Sequence, residues 1–577
     1  MKKTTTMKKM LLALTLAIFV SGLLTAGNIK LNTNVPTGIK ITENTYSSLM
    51  MSSNLSNIDF MEVKTKEGYF TLLNIPGYNY NVDAGNPQLP VLKKLIEVPL
   101  DATINVNFIN LTSFEINLAD HGIEKYILPV QPSVSKSIDD PSDLDFIYNK
   151  ERYNIDGFSG QDLVKVVDLG IMRGVRIARV EFSPVLYNPV TNIIKVYSDI
   201  DVQIEFANGD IPKTLSQKKS LFSPFYEGIY QNLYNYKSTE GKELIMDEPV
   251  TMIIVADPMF ENALQPVVEW KTKKGFYVVE AYTDDPNVGN TTSSIKSYLE
   301  DFYNNPPSGF NSQSFVLFVG DVAQIPAFNG TTNSHVTDLY YCEYTNDIFP
   351  ECYYGRWSAN NLTELQPQID KTLEYEQYLF PDPSFLDEVV MVAGHDSSHE
   401  LTWGNGQINY GTDNYFNAAH GIYSNTYLQP EGGGNYSVNI RQNITDGVSY
   451  VNYSAHCGPS GWSDPSFNIG DIPGLANNNK YPLIVGNCCS SVEFQITCFG
   501  EEILRAENKG ALGYIGGSNS TYWDEDFWWG VGLEAISANP VYNADHLGAY
   551  DRTFHDNGEV MDEWYITQGQ MPSSGNL

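Results

Sequence analysis

Two buried strands of this chain run out, one after the other, into chemically active residues, and that constrains its fold more than any other feature. Residues 448–453 (VSYVNY) and 483–485 (LIV, after Pro482) are β-branched, aromatic or aliphatic runs punctuated by small residues. The first leads into Tyr453-Ser-Ala-His456-Cys-Gly458, the second into Gly486-Asn487-Cys488-Cys489. In a parallel α/β sheet, functional groups gather in the crevice at the carboxyl ends of the strands. A His and a Cys delivered there by separate strands form the minimal pair for thiol catalysis: the imidazole orients or deprotonates the thiol, and the thiolate attacks a carbonyl. Either residue alone reads more simply as a buried core group; the two at successive strand ends favour chemistry.

The surroundings match such a sheet. After Val250, strand-like runs at 252–256, 315–319, 389–392, 448–453, 483–485 and 511–515 are separated by helical stretches, among them 261–273, 294–303, 362–379 and 499–509. That alternation predicts a parallel sheet covered by helices. Residues 28–240 instead read as β-structure, with an alternating run at 103–108 (TINVNF) and a hairpin-like stretch over 185–197. Between the two lies 213–245, where Lys213, Lys218, Lys219, Lys237 and Lys242 sit among Ser, Gly and Tyr without an apolar period. It reads as an exposed junction, the kind of segment proteases cut.

Residues 1–26 read as a secretory signal: Lys2, Lys3, Lys8 and Lys9, an apolar run over 10–20, and Leu24-Thr25-Ala26 as a cleavage site. The run is short for a membrane span, no Cys follows it to carry a lipid, and no later stretch reads as transmembrane. The expected location is secreted. Lys+Arg 35 against Asp+Glu 69 gives a net charge of −34, which argues against nucleic acid or anionic membranes as partners and suits basic substrates. Six Cys, none before Cys342, exclude a dense disulfide framework. Cys342 and Cys352, in a Tyr-rich region, are spaced so that they could pair, and sequence alone does not decide it.

Ser454-Ala455-His456, Gly486-Asn487-Cys488-Cys489, Cys498-Phe499-Gly500-Glu501 and Tyr514-Ile515-Gly516, leading to Tyr522-Trp523-Asp524-Glu525-Asp526, closely resemble the gingipain family of cysteine peptidases, and within it the lysine-specific branch. Gly85-Asn-Pro-Gln-Leu-Pro-Val91 and Ser183-Pro-Val-Leu-Tyr-Asn-Pro189 resemble the propeptide of that family. The resemblance implies a caspase-like α/β peptidase of two subdomains behind a β-rich propeptide. The expected domains are a signal peptide (1–26), a propeptide with processing linker (27–245), subdomain A (246–385) and catalytic subdomain B (386–577). It further implies that the propeptide inhibits its own enzyme, that structural calcium is bound, and that no cofactor serves catalysis. The family continues beyond the point corresponding to Leu577, often to a surface-anchoring tail, so this chain is expected to be truncated.

The same resemblance assigns roles. Cys489 is the nucleophile, because the second Cys of the pair is the reactive one in this family. Strand alternation separates the two independently, since adjacent side chains point to opposite faces; Cys488 is then core. His456 is the acid–base partner and Asp396, in Ala-Gly-His-Asp-Ser, orients it. A rival reading of that loop makes His395 and His399, with Glu400, zinc ligands, which requires a helix there. Asp526 is the candidate pocket carboxylate for a substrate lysine, walled by Trp523, with Asn487 and Ser454 as neutral hydrogen-bonding groups; Asp524 and Glu525 are its rivals. One departure stands out. The family has Gly after the catalytic His, and its N–H serves the oxyanion; here Cys457 stands there, as an extra thiol beside the site. The expected function is endopeptidase cleavage of proteins after lysine, with arginine or broader basic specificity, or a non-catalytic adhesin, as alternatives.

Overall fold

The computed structural model describes residues 27–31, 35–138, 140, 144–238, 249–332, 334–554, 558 and 564–576. The signal-like segment 1–26 lies outside them. From Val250 onward two parallel sheets succeed one another. The first has the strand order Phe276–Tyr282, Val250–Ala256, Gln313–Val319, Tyr353–Trp357. Its central strand is buried on both faces: Ile253 and Val255 meet Ile295 and Leu299 of helix Thr292–Asn304, while Ile254 and Ala256 meet Leu264 and Val267 of helix Glu261–Lys273. Two-sided burial explains why its sequence is continuously apolar.

The second sheet has the order Tyr423–Tyr427, Glu388–Ala393, Tyr450–Ser454, Leu483–Asn487, Gly513–Gly516, all parallel. Its register sets one row at the carboxyl edge: Ala393 pairs with Ser454, and Ser454 with Asn487. Every residue assigned to the site comes within a few positions after that row or belongs to it, apart from Trp523 and Asp526, which come from the helix Trp523–Val531 beyond the last strand.

The amino-terminal portion is antiparallel throughout its named sheets. Its spine is the strand Ile193–Ala207, whose alternation of buried and more exposed residues pairs with Val185–Asn188, Ser48–Asn54 and Thr103–Asn117. The run 103–108 is the start of that last, largely exposed strand. The stretch expected to be an open junction is mostly structured. Ile211–Ser220 and Pro224–Tyr230 are helices, each with Pro in the first turn. Lys218 is buried and pairs with Glu97 at 2.7 Å, and the Lys237 ammonium lies over the Tyr46 ring. Scattered lysines hide a helix from periodicity when they are themselves packed. Residues 239–248, Lys242 included, lie outside the described residues. Cys342 and Cys352 are both fully buried in one core cluster as free thiols.

The two sheets are locked by polar contacts. Arg505 pairs with Asp321 at 2.9 Å and Glu501 at 2.9 Å, and Ser358 donates to Glu501 at 2.6 Å. Lys371, on helix Leu362–Glu376, is buried and donates to the carbonyls of Leu504 (2.9 Å) and Ala511 (3.4 Å). Burial lowers its pKa to about 7. Between about pH 7 and the ordinary lysine value the unfolded chain binds a proton the folded chain does not, so this group makes stability rise with pH in that window and is neutral to it below. Lys371→Met should remove that slope: the variant's advantage or deficit in urea-unfolding free energy relative to the natural protein should change by a few kcal/mol (~1.36 kcal/mol per unit of pKa) between pH 7 and 10. A difference constant across that range would show that Lys371 is charged when folded.

Candidate active site

Three loops leave the row at the carboxyl edge of the second sheet. The first, after Ala393, begins at Gly394, where a Cβ would stand 2.5 Å from the Ala455 Cβ and 2.6 Å from the Asp464 carbonyl. Only glycine lets this loop pass so close to the neighbouring strand. It turns at once, so Asp396 lies in a loop rather than on the strand. Its carboxylate is buried and accepts from Ser398 N (2.8 Å), His399 N (2.7 Å), His399 Nδ1 (3.0 Å) and His456 Nε2 (2.8 Å). Those donors outweigh its burial and hold the Asp396 carboxyl well below the usual carboxylate range. His395 pairs with Glu400 at 2.6 Å, while His399 turns to Asp396 and stacks on Trp523 at 5.0 Å. The two imidazoles diverge. Among the described residues no group of three or more His, Cys, Asp or Glu is arranged to hold a metal ion.

His456 lies just past the second strand. Nε2 faces Asp396, and Nδ1 contacts the carbonyl oxygen of Lys136. Both ring nitrogens thus face oxygen atoms, one a carboxylate and one a backbone carbonyl. Cys489 lies just past the third strand and is buried; its sulfur accepts from Thr521 N at 3.3 Å. Burial pushes the Cys489 thiol up, against the opposing pull of the Thr521 N–H and the Lys136 charge. Cys488 is fully buried in the core, as strand alternation predicts, but not as a free thiol. It forms a disulfide with Cys457, across a Cα–Cα distance of 5.2 Å.

The residue that sequence reasoning missed is Lys136. It comes from the amino-terminal portion and fills the pocket with a fully buried side chain. Its ammonium contacts Asp526 Oδ2 at 2.7 Å, Ser454 Oγ at 3.1 Å and the Asn487 carbonyl at 2.8 Å, and lies 4.6 Å from the centre of the Trp523 ring. Three N–H donors meet three acceptors over an aromatic face. Asn487 contributes its backbone oxygen. The rival acids are engaged elsewhere: Asp524 accepts from Trp403 Nε1 at 2.7 Å and Glu525 from Ser133 Oγ at 2.6 Å. The backbone around Lys136 is held as a short antiparallel strand: Lys136 N donates to Thr521 O (2.9 Å), Trp523 N to Val134 O (3.0 Å), and Ser135 bridges Tyr522. No local pattern marks Lys136; a lone Lys between Ser residues resembles any polar loop.

Residues 245–574 match Peptidase family C25, and residues 32–243 match Propeptide_C25. The chain is 37% identical to Lys-gingipain W83 of Porphyromonas gingivalis over 99% of its own length and 32% of that protein. It is 26% identical to Gingipain R2 of the same organism over 79% of this chain and 61% of the other. A solved structure titled "Structure of Protease" superposes with a TM-score of 0.54 at 37% identity, covering 57% of this chain and 72% of that one. The chain thus spans about a third of the length of the Lys-gingipains it resembles.

Because Lys136 closes the pocket beside Cys489, removing its side chain should open the site. In the uncut protein, Lys136→Ala should raise the rate of Cys489 alkylation by iodoacetamide at neutral pH by at least about tenfold, since burial is the largest influence holding that thiol protonated. An unchanged rate would mean that the Lys136 side chain does not guard the thiol.

Proposed function

Because the chain belongs to peptidase family C25, we propose that it is an exported, zymogen-type cysteine endopeptidase that cleaves after lysine and is held latent by its own amino-terminal portion. The observation that carries this reading is the seat of Lys136. A lysine side chain occupies a pocket with a carboxylate at its end, and the carbonyl of that same lysine lies against the His456 imidazole. That is the pose a substrate lysine takes at the position before the scissile bond.

The proposed reaction is built on this pose. With the cleft open, the Cys489 thiolate attacks the carbonyl of the substrate lysine. His456, oriented and kept charged by Asp396, gives its Nδ1 proton to the leaving amine, and water then hydrolyses the acyl-enzyme. Asp526, Ser454 and the Asn487 carbonyl hold the ammonium. An ammonium suits three acceptors arranged around a point; a guanidinium calls for a planar, bidentate partner, which favours lysine over arginine here. In the zymogen the same contacts are made by Lys136, so the pocket is filled, while burial pushes the Cys489 thiol up against the pull of the Lys136 charge. Processing is proposed to fall at the junction of the two matched families, where Lys242 stands.

Cys489→Ala should abolish hydrolysis of peptidyl-lysine amides and accumulate as uncut protein; processing of that variant without added protease would refute self-cleavage. Losing one carboxylate opposite a desolvated ammonium costs roughly 2–5 kcal/mol. Asp526→Asn should therefore lower kcat/KM for lysine substrates by at least about 30-fold, at ~1.36 kcal/mol per decade, with little effect on Cys489 alkylation once the amino-terminal portion is removed. If Asp524→Asn or Glu525→Gln produced the loss instead, the pocket is wrongly assigned. A panel of substrates with Lys, Arg or Asn before the cleaved bond tests the lysine preference directly.

A further inference from the structure

The disulfide Cys457–Cys488 joins the residue after His456 to the residue before Cys489. We propose that it is a positioning element of the reaction: a covalent clamp that holds the two reacting strand ends in register and fixes the backbone N–H groups facing the substrate carbonyl. This rests on the peptidase reading above.

Ladder pairing between the two strands stops short of the reacting residues. Tyr450–Ser454 and Leu483–Asn487 are in register up to the pair Ser454 and Asn487. His456 and Cys489 each lie two residues past that pair, where no ladder bond aligns them. Both segments then change direction. Cys457 enters a small ribbon, pairing with Trp462, and Cys488 begins a turn in which its N–H bonds the Gly486 carbonyl and Ser490 has a φ of +54°. The disulfide is a direct covalent tie between these diverging segments. Among the other supports of His456, Tyr453 Oη donates to its carbonyl at 2.9 Å, Ser463 N donates to the same carbonyl at 3.1 Å, and Asp396 holds the ring. None of these three reaches the Cys489 segment.

The same bond accounts for the departure at position 457. A glycine there would leave the N–H free to adjust to the oxyanion. Cys457 is a strand residue outside the left-handed region, so its N–H is presented without strain, and its side chain is anchored to the neighbouring segment. Preorganised donors are worth most when they do not have to move as charge develops. The bond also removes Cys488 from competition, so the vicinal pair carries one free thiol, Cys489.

The test uses the processed enzyme and a water-soluble trialkylphosphine. Reduction breaks the S–S bond, forms two S–H groups, and converts the phosphine to its oxide with oxygen from water; alkylation and mass spectrometry count the thiols. The processed, fully reduced natural enzyme should lose at least about tenfold in kcat, with KM for a peptidyl-lysine amide changed less than about twofold, in step with the appearance of the Cys457 and Cys488 thiols. Cys457→Ser/Cys488→Ser should show that low kcat at every phosphine concentration, and reoxidation should restore the natural enzyme only. Full kcat in the reduced natural enzyme, or a loss that appears only near its melting temperature, would overturn the clamp and leave a purely stabilising disulfide. If the double variant does not fold, the reduced natural enzyme still decides. Absence of lysyl-peptide hydrolysis in every redox state would instead refute the peptidase reading.

Discussion

An ammonium taken out of water is the interaction on which this structure turns. Burying an isolated cation costs several kcal/mol even after the protein relaxes, and Lys136 is buried completely. Burial lowers its pKa, and the Asp526 charge is the first influence to oppose that. The cost is tolerable because the pocket offers a carboxylate, a hydroxyl, a carbonyl and an aromatic face in the geometry of the three N–H bonds. A neutral side chain would leave the carboxylate stranded. The pocket therefore selects charge through the penalty of leaving Asp526 without a partner.

That pocket exists because of strand register. Ser454 and Asn487 are neighbours across the second sheet, so one hydroxyl and one carbonyl converge on a single point without any loop having to find it. Asp526 and Trp523 arrive on the first turns of a helix that comes after the edge strand Gly513–Gly516. Trp523 serves several contacts at once: its face meets Lys136, it stacks on His399, and it meets His456 edge-on at 5.7 Å. The Lys136 ammonium and the His456 imidazole thus meet one and the same ring.

The parts legible in the sequence were those carried by short-range pattern. The two-sided apolar strands announced the parallel sheets, and the places of His456 and Cys489, each two residues past a strand of the second sheet, could be read from those same runs. Helix Glu261–Lys273 was readable to its limits. Features that depend on partners far away in the chain were not legible. Lys136 has its meaning only opposite Asp526, and Lys218 hides a helix because Glu97 buries it. Cys488 is a core residue, as alternation implies, but its bond to Cys457 was not legible, because that partner lies beyond another strand. His399 was weighed as a zinc ligand, whereas the loop turns it onto Asp396. Pairing across long sequence separation leaves no periodic trace.

If Lys136 binds as the proposed substrate would, its segment faces a kinetic problem, and chain connectivity meets it. The contacts around Lys136 are those of a strand added to the edge of the cleft, through Val134, Ser135 and Thr521. Such contacts are modest individually. Covalent continuity with the rest of the chain turns their association into an intramolecular event, for which effective concentrations reach roughly the millimolar range with short flexible linkers. On the proposed reading, while the chain is whole the pocket would be refilled faster than an external lysine could compete at ordinary concentrations. Once the tether is cut, the same contacts count only at the concentration of the released portion, and dissociation by dilution becomes final. On the proposed reading, latency would need no distorted catalytic residues: Lys136 fills the pocket while Asp396 and His456 stay paired.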